Sequence, residues 1–546
     1  MSALALTDRD TVTGAVRFAK AAMEHGIRPI FGVDLAVAPL AAVRAQRRRT
    51  PVRGGAHVLE RPLRIVLLAE NKAGWARLCR LTSAAHQQQH GQPPVLSWEA
   101  LGEHGNDGLI ALLGPVSEPV RALSAGRPDI AEQLLAPWRE IFADRLRLAA
   151  VWHGQSGTGP GSLRLAARTL TFADQAGVPA VLTNAARYAD PGQHRLADVL
   201  DAARLLRPID RRVLDSGERW LKDPAVMAEA ALRIAEAAGL GEQRALRLLA
   251  DTETTAGQCV LDPVADLGLG TPHFPEPEMV GAGGGPGEAS RLLRERCEAG
   301  MVRRGLDHEP AARRRLEEEL AVIAQLKYDT YFLTVAQVVA DVREMGIRVA
   351  ARGSGAGSMV NHALMIATAN PLDHWLLFER FLSVRRASLP DIDIDVESAR
   401  RLEVYDKIID RFGLERVAVT GMPETYRARH ALRDTGLALG IAPADVDRIA
   451  KSFPHIRACD ITAALAELPE LKQLASEAAP FQLMFELAEG LDALPRGIAM
   501  HPCGVILTNA SLLDRLPVQP TPGGYPMVQA DKEEVDSLGV EAVAVE

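Results

Sequence analysis

The chain has 546 residues, too many for one ordinary core, so length favours three or more domains. Hydrophobic content of 47%, charged content of 24% and only 4% aromatics, with abundant Ala, Leu and Arg, favour a water-soluble mixed α and β protein over an all-β architecture. A net charge of −8 gives no global attraction for nucleic acid, so such a partner would need local basic surface or metal; no run is long and apolar enough to span a bilayer.

In chain order, short apolar strands are expected at 3–6, 28–37, 63–69, 108–113, 146–151 and 180–183. Helices are expected at 11–25, 74–87 and 162–176. This is the strand-then-helix rhythm of a barrel or open α/β sheet. Residues 44–60, rich in Arg and Gly, interrupt it as a loop. The stretch 191–257 reads as mostly helical, and 280–288, with its Gly-Ala-Gly-Gly-Gly-Pro-Gly, reads as a linker. Charged amphipathic helices follow at 289–305 and 310–326, then a strand at 347–350. From 423 to about 491 the chain reads as helical, and 501–508 returns to strand. Cys79, Cys259, Cys297, Cys459 and Cys503 form no Cys-x-x-Cys pair and read as reduced residues. With a start that lacks a signal-peptide pattern, this predicts a cytoplasmic protein.

Two motifs carry chemistry. Arg352-Gly353-Ser354-Gly355-Ala356-Gly357-Ser358 follows a predicted strand and is expected to open a helix running to about Ile366. Such a small-residue turn offers backbone N–H groups and hydroxyls to a phosphate, with Arg352 beside them. It lacks the terminal Lys of a P-loop. The second motif, Leu389-Pro390-Asp391-Ile392-Asp393-Ile394-Asp395-Val396, is a strand that sends Ile inward and three carboxylates to the other face. Asp391 and Asp393 would stand about 7 Å apart, close enough to share a pair of metal ions. A calcium loop is excluded because Val396 and Leu402 occupy its required Gly and Glu positions. A solvated acidic edge strand is the bland alternative. A phosphate-cradling turn, the cationic Leu377-Phe378-Glu379-Arg380-Phe381-Leu382 and metal carboxylates within one short span are the parts that nucleotidyl transfer needs.

These three ordered motifs closely resemble the alpha subunit of bacterial DNA polymerase III, the C-family polymerases. Leu6-Thr7-Asp8 and Pro29-Ile30-Phe31-Gly32-Val33-Asp34 are similar to that family's amino-terminal polymerase and histidinol phosphatase (PHP) domain. The segments 426–434 and 494–502 are most similar to its error-prone branch. The resemblance implies an α/β multidomain protein: a PHP-like α/β barrel over 1–262, the first part of a polymerase-beta-like palm over 263–422, a helical thumb over 423–500 and the second part of the palm over 501–546. It implies a DNA-directed DNA polymerase acting in replication or repair synthesis, using two Mg2+ ions, dNTP and primer-template DNA. A replication clamp and other replication factors are implied as partners of full-length members.

Position by position, the resemblance makes Asp391 and Asp393 the catalytic metal ligands, with Asp395 supporting. It makes Gly353, Ser354, Arg352 and Arg380 the nucleotide-binding residues, and places Arg427, Arg429 and Arg433 where the thumb approaches DNA. Two departures accompany it. A strand carrying a phosphate-binding Lys and a third catalytic Asp is expected near the end, and by register those positions are Ala542 and Ala544. In the PHP segment a His-x-His strand is not found, and Ala185 and Arg187 stand where an Asp and a His are expected. Asp8 and Asp34 therefore mark a degenerate PHP site without phosphoesterase activity. The expectation for this chain is weak or absent polymerisation. The alternative is a catalytically inactive truncated remnant that binds nucleotide or DNA, and an unrelated phosphotransferase is argued against by the order of the motifs.

Overall fold

The computed structural model describes residues 2–40, 62–87, 93–105, 107–211, 214–283, 285–383 and 392–539, and the backbone of 542–544. The predicted 44–60 loop and Asp391 lie outside the described residues.

The first unit is a six-stranded sheet whose order follows the chain: β1 (Ala3–Arg9), β2 (Arg28–Val37), β3 (Leu63–Ala69), β4 (Leu109–Leu113), β5 (Leu146–Ala150) and β6 (Ala180–Leu182). β1 runs parallel to β2, and β4, β5 and β6 are mutually parallel. β3 is antiparallel to both of its neighbours, so the sheet is mixed rather than uniformly parallel. Alternation along β2 explains its placement. Phe31, Val33, Leu35 and Val37 pack with Trp75, Leu78 and Leu81 of the helix Lys72–His86, and Ile30 points the other way to Leu68 and Ile110.

The second unit holds two sheets on a common core. β7 (Val349–Arg352) and β8 (Asp393–Val396) form an antiparallel pair. A five-stranded sheet has the order β11 (Val518–Pro520), β12 (Pro526–Val528), β9 (Val417–Thr425), β10 (Pro495–Leu507), β13 (Ala542–Ala544). Ile392, Ile394 and Val396 enter the same core as Phe332, Val339, Phe381, Ile408, Val505 and Met527. The other face of the larger sheet sends Ala418, Ile506 and Val528 into the core of the first unit. Polar contacts reinforce this junction, among them Val12 N donating to Gln529 Oε1 at 3.3 Å.

Between β9 and β10 the chain makes a helical excursion with its own core of Leu432, Ile449, Phe453, Ile461 and Phe485. β9 extends to Thr425, so the helical stretch starts later than the sequence predicts. Two helices that the sequence reading passes over, Asp329–Glu344 and Arg401–Phe412, flank the motif-bearing strands. All five cysteines are free.

Candidate active site

The glycine motif does not open a long helix. Gly353–Gly357 form a 3-10 turn, and a helix of five residues, Met359–Ala363, follows. Three glycines in five residues remove the side chains that would extend a helix, and Ser358 instead caps the short one, its hydroxyl accepting from Asn361 N at 3.1 Å. Asn361 Nδ2 donates back to Gly355 O at 2.9 Å, closing the turn from beneath. Gly355 and Gly357 are buried, whereas Arg352, Gly353 and Ser354 form the exposed tip.

That tip meets the acidic strand. The β7–β8 register sets Arg352 opposite Asp393 and Ala350 opposite Asp395, so both carboxylates stand on the face away from Ile394 and Val396. Gly353 has φ +67°, and a Cβ there would sit 3.2 Å from Asp393 Oδ2. Glycine at this position serves both backbone and carboxylate. Arg352 Nε pairs with Asp395 Oδ1 at 3.0 Å. The exposed Arg380 lies on the 3-10 turn Phe378–Arg380, whose preceding carbonyl, Leu377 O, stands 3.4 Å from where a Cβ of Gly357 would be. The structure thus gathers Arg352, Gly353, Ser354, Asp393 and Asp395 at one edge, with the Arg380 segment packed behind the turn. Asp391 lies outside the described residues. β13 runs antiparallel to β10, with Ala544 opposite Gly504, and lies beside β8.

The basic residues 427–433 divide. Arg427 is exposed and precedes the helix Ala428–Ala438. Arg429 Nε donates to Phe453 O at 2.8 Å and Arg433 Nη2 reaches Asp447 Oδ1 at 3.3 Å, so these two clasp the helix Pro443–Ser452 and its end.

Asp8 and Asp34, expected to mark a degenerate PHP site, are not brought together as a pair. The β1–β2 register sets Asp8 beside Val33 and Arg9 beside Asp34, which puts Asp8 and Asp34 on opposite faces. Asp8 lies against Gly14, and burial pushes its carboxyl up. Asp34 faces Arg64, whose Nε donates to Asp34 Oδ1 at 2.8 Å and whose Nη2 donates to Asp10 Oδ1 at 2.8 Å. Burial pushes the Asp34 carboxyl up against the opposing pull of Arg64. Arg187 holds Asp201 through two bonds of 2.8 and 3.0 Å. A metal cluster does not fit here: Asp34, Asp10 and Asp201 are taken by guanidinium groups, and Asp8 stands on the opposite face of the sheet from Asp34. Among the described residues no group of three or more His, Cys, Asp or Glu is placed to hold a metal ion. Sequence reasoning missed Arg64 because, inside an otherwise apolar strand, it carries no motif.

Comparison with known proteins follows the same division. Residues 291–542 match the family described as the bacterial DNA polymerase III alpha NTPase domain, and residues 1–149 match the PHP domain. The chain is 34% identical over 562 residues to an error-prone DNA polymerase of Symbiobacterium thermophilum, covering 99% of this chain and 48% of that protein. An error-prone DNA polymerase of Mycolicibacterium paratuberculosis is 34% identical over 99% of this chain and 46% of its own length. A DNA polymerase III subunit alpha of Caulobacter vibrioides is 31% identical over 99% of this chain and 45% of its own length. The chain spans about half the length of the curated relatives it matches. No helix among the described residues is long and apolar enough to cross a membrane.

Proposed function

The chain belongs to the family of bacterial DNA polymerase III alpha subunits, and from that premise we propose that it carries the palm of a DNA-directed DNA polymerase of the error-prone kind. The observation that carries this reading is the Asp393 carboxylate lying against Gly353, at the tip of the glycine turn. A triphosphate seated on that tip would meet the Gly353 and Ser354 amides, and its charge would be met by Arg352 and Arg380. Asp391 and Asp393 would hold two Mg2+ ions. When bound, these ions supply a lowered pKa at the primer 3′-hydroxyl and charge neutralisation on the triphosphate. Asp395 would keep Arg352 aimed at the tip.

The helical stretch between β9 and β10 would be the thumb, with the exposed Arg427 as its phosphate contact. Arg429 and Arg433 would hold it together. The first unit would be a PHP-like barrel retained as a scaffold, without phosphoesterase activity. Primer-template DNA and dNTP are the proposed substrates, the clamp and other replication factors the partners of the longer protein, and the cytoplasm its place.

The test is single-nucleotide primer extension with magnesium. The expected result is templated addition, slow because Ala544 stands where the family carries a carboxylate, and abolished by Asp393→Ala. Addition that ignores the template, or survives Asp393→Ala, overturns the reading.

A further inference from the structure

The glycine turn is braced from beneath by an ion pair whose carboxylate is buried. Glu319, on the helix Pro310–Leu326, is 1% exposed. It accepts hydrogen bonds from Ser358 Oγ at 2.8 Å, Val360 N at 3.1 Å and Arg315 Nε at 2.6 Å. One helical turn away, Arg315 Nη2 donates to Gly357 O at 3.3 Å and to Leu376 O at 3.1 Å. Its guanidinium carbon lies 6.0 Å from the ring centre of Phe378. One rigid fork therefore ties the end of the glycine turn to the residue just before Leu377-Phe378-Glu379-Arg380.

A buried carboxylate is expensive to keep, and an apolar residue of the same size is often as stable. What an ion pair adds is a fixed geometry, and two features here need one. A turn with three glycines has the most backbone freedom to lose, and the Arg380 segment is a single 3-10 turn with little rigidity of its own. Both would have to face one triphosphate at a set spacing. Arg315 suits the task because its planar group donates from Nη2 to two carbonyls while the adjacent Nε donates to Glu319.

We propose that Arg315 and Glu319 are positioning residues that lock the Gly353–Gly357 turn and the Arg380 segment at the spacing required for triphosphate binding. This rests on the nucleotide-binding reading above.

The test uses the full chain and its Arg315→Lys and Glu319→Gln variants. Lysine keeps a charge for Glu319 but lacks the fork, and glutamine keeps an acceptor for Val360 N but loses the charge. Amide hydrogen exchange is followed in peptides covering 353–360 and 376–382, and affinity is measured for a fluorescent dNTP analogue with magnesium. Arg315→Lys is expected to speed exchange in both segments at least fivefold and to weaken the analogue about tenfold. Leu333→Ala, a core truncation in the same unit, lowers the melting temperature without selectively loosening those two segments or changing the affinity. Unchanged exchange in either segment of a folded Arg315→Lys protein overturns the proposal. If Arg315→Lys does not fold, the same criterion is applied to Glu319→Gln. If the unaltered chain binds no analogue, the nucleotide reading falls while the exchange data still decide whether the tether exists.

Discussion

Arg352 Nε stands 3.0 Å from Asp395 Oδ1, a diagonal that joins the end of β7 to the strand opposite. The two side chains are 45% and 52% exposed, so their attraction contributes only about 0–1 kcal/mol to folding. The pair aims a guanidinium more than it stabilises a sheet. Asp395→Ala should therefore leave the urea midpoint nearly unchanged and slow magnesium-dependent nucleotide addition roughly 10-fold, the scale of losing a supporting partner. Asp393→Ala should abolish it. Equal effects of the two substitutions would remove the distinction between ligand and support.

Arg64 neutralises both Asp34 and Asp10 in the first sheet. Its side chain is 9% exposed. Replacing it with Met leaves two carboxylates facing a half-buried site without their cation, at a cost of about 3 kcal/mol. Urea denaturation measures this directly. Zinc or manganese should leave the melting temperature of the unaltered protein where it was. A rise of several degrees with either metal would show a site that the Arg64 contacts do not fill.

His153 supplies a pH dependence with a definite sign. Burial holds its imidazole down to about 4, and its Nε2 meets Asn184 O at 2.7 Å, an N–H donating to a carbonyl. The unfolded chain, with an ordinary histidine near 6.5, takes up a proton between those two values while the folded protein does not. Stability from this group is thus present above pH 6.5 and is lost as pH falls toward 4. Urea midpoints measured from pH 7 to pH 4.5 should fall less steeply in His153→Gln than in the unaltered chain. Parallel slopes would assign the acid sensitivity to other groups.

Much of this architecture was legible where the apolar period was clean. β2 and β3 have the bounds that their short apolar runs predict. The helix Asp329–Glu344 was invisible for the opposite reason: Phe332, Leu333, Val335, Val338 and Val342 bury it on nearly every side, and no polar stripe marks its period. β9 was hidden by Gly421 and Pro423, residues that ordinarily argue against a strand. At the candidate site the carboxylate strand and glycine turn could be read from residue type and spacing, but their contact could not. Arg315 and Glu319 are two charges among many in a predicted amphipathic helix, and only the fold shows what lies over them.

Ala544 allows the metal reading to be tested by addition rather than removal. The backbone of β13 runs antiparallel to β10, with Ala544 opposite Gly504 and Ala542 opposite Ile506, and β13 lies beside β8. A carboxylate introduced on the correct face of β13 would therefore join Asp391 and Asp393 around the same ions. Alternate residues of a strand face opposite sides, so position 543 serves as the built-in control. Ala544→Asp should raise magnesium-dependent single-nucleotide addition at least 10-fold, about 1.4 kcal/mol in the barrier. Val543→Asp should give no gain. The increase must vanish again in the Ala544→Asp, Asp393→Ala double variant, because a third ligand cannot act without the pair it completes. A folded Ala544→Asp protein that is no faster than the unaltered chain would show that β13 does not hold the third ligand position.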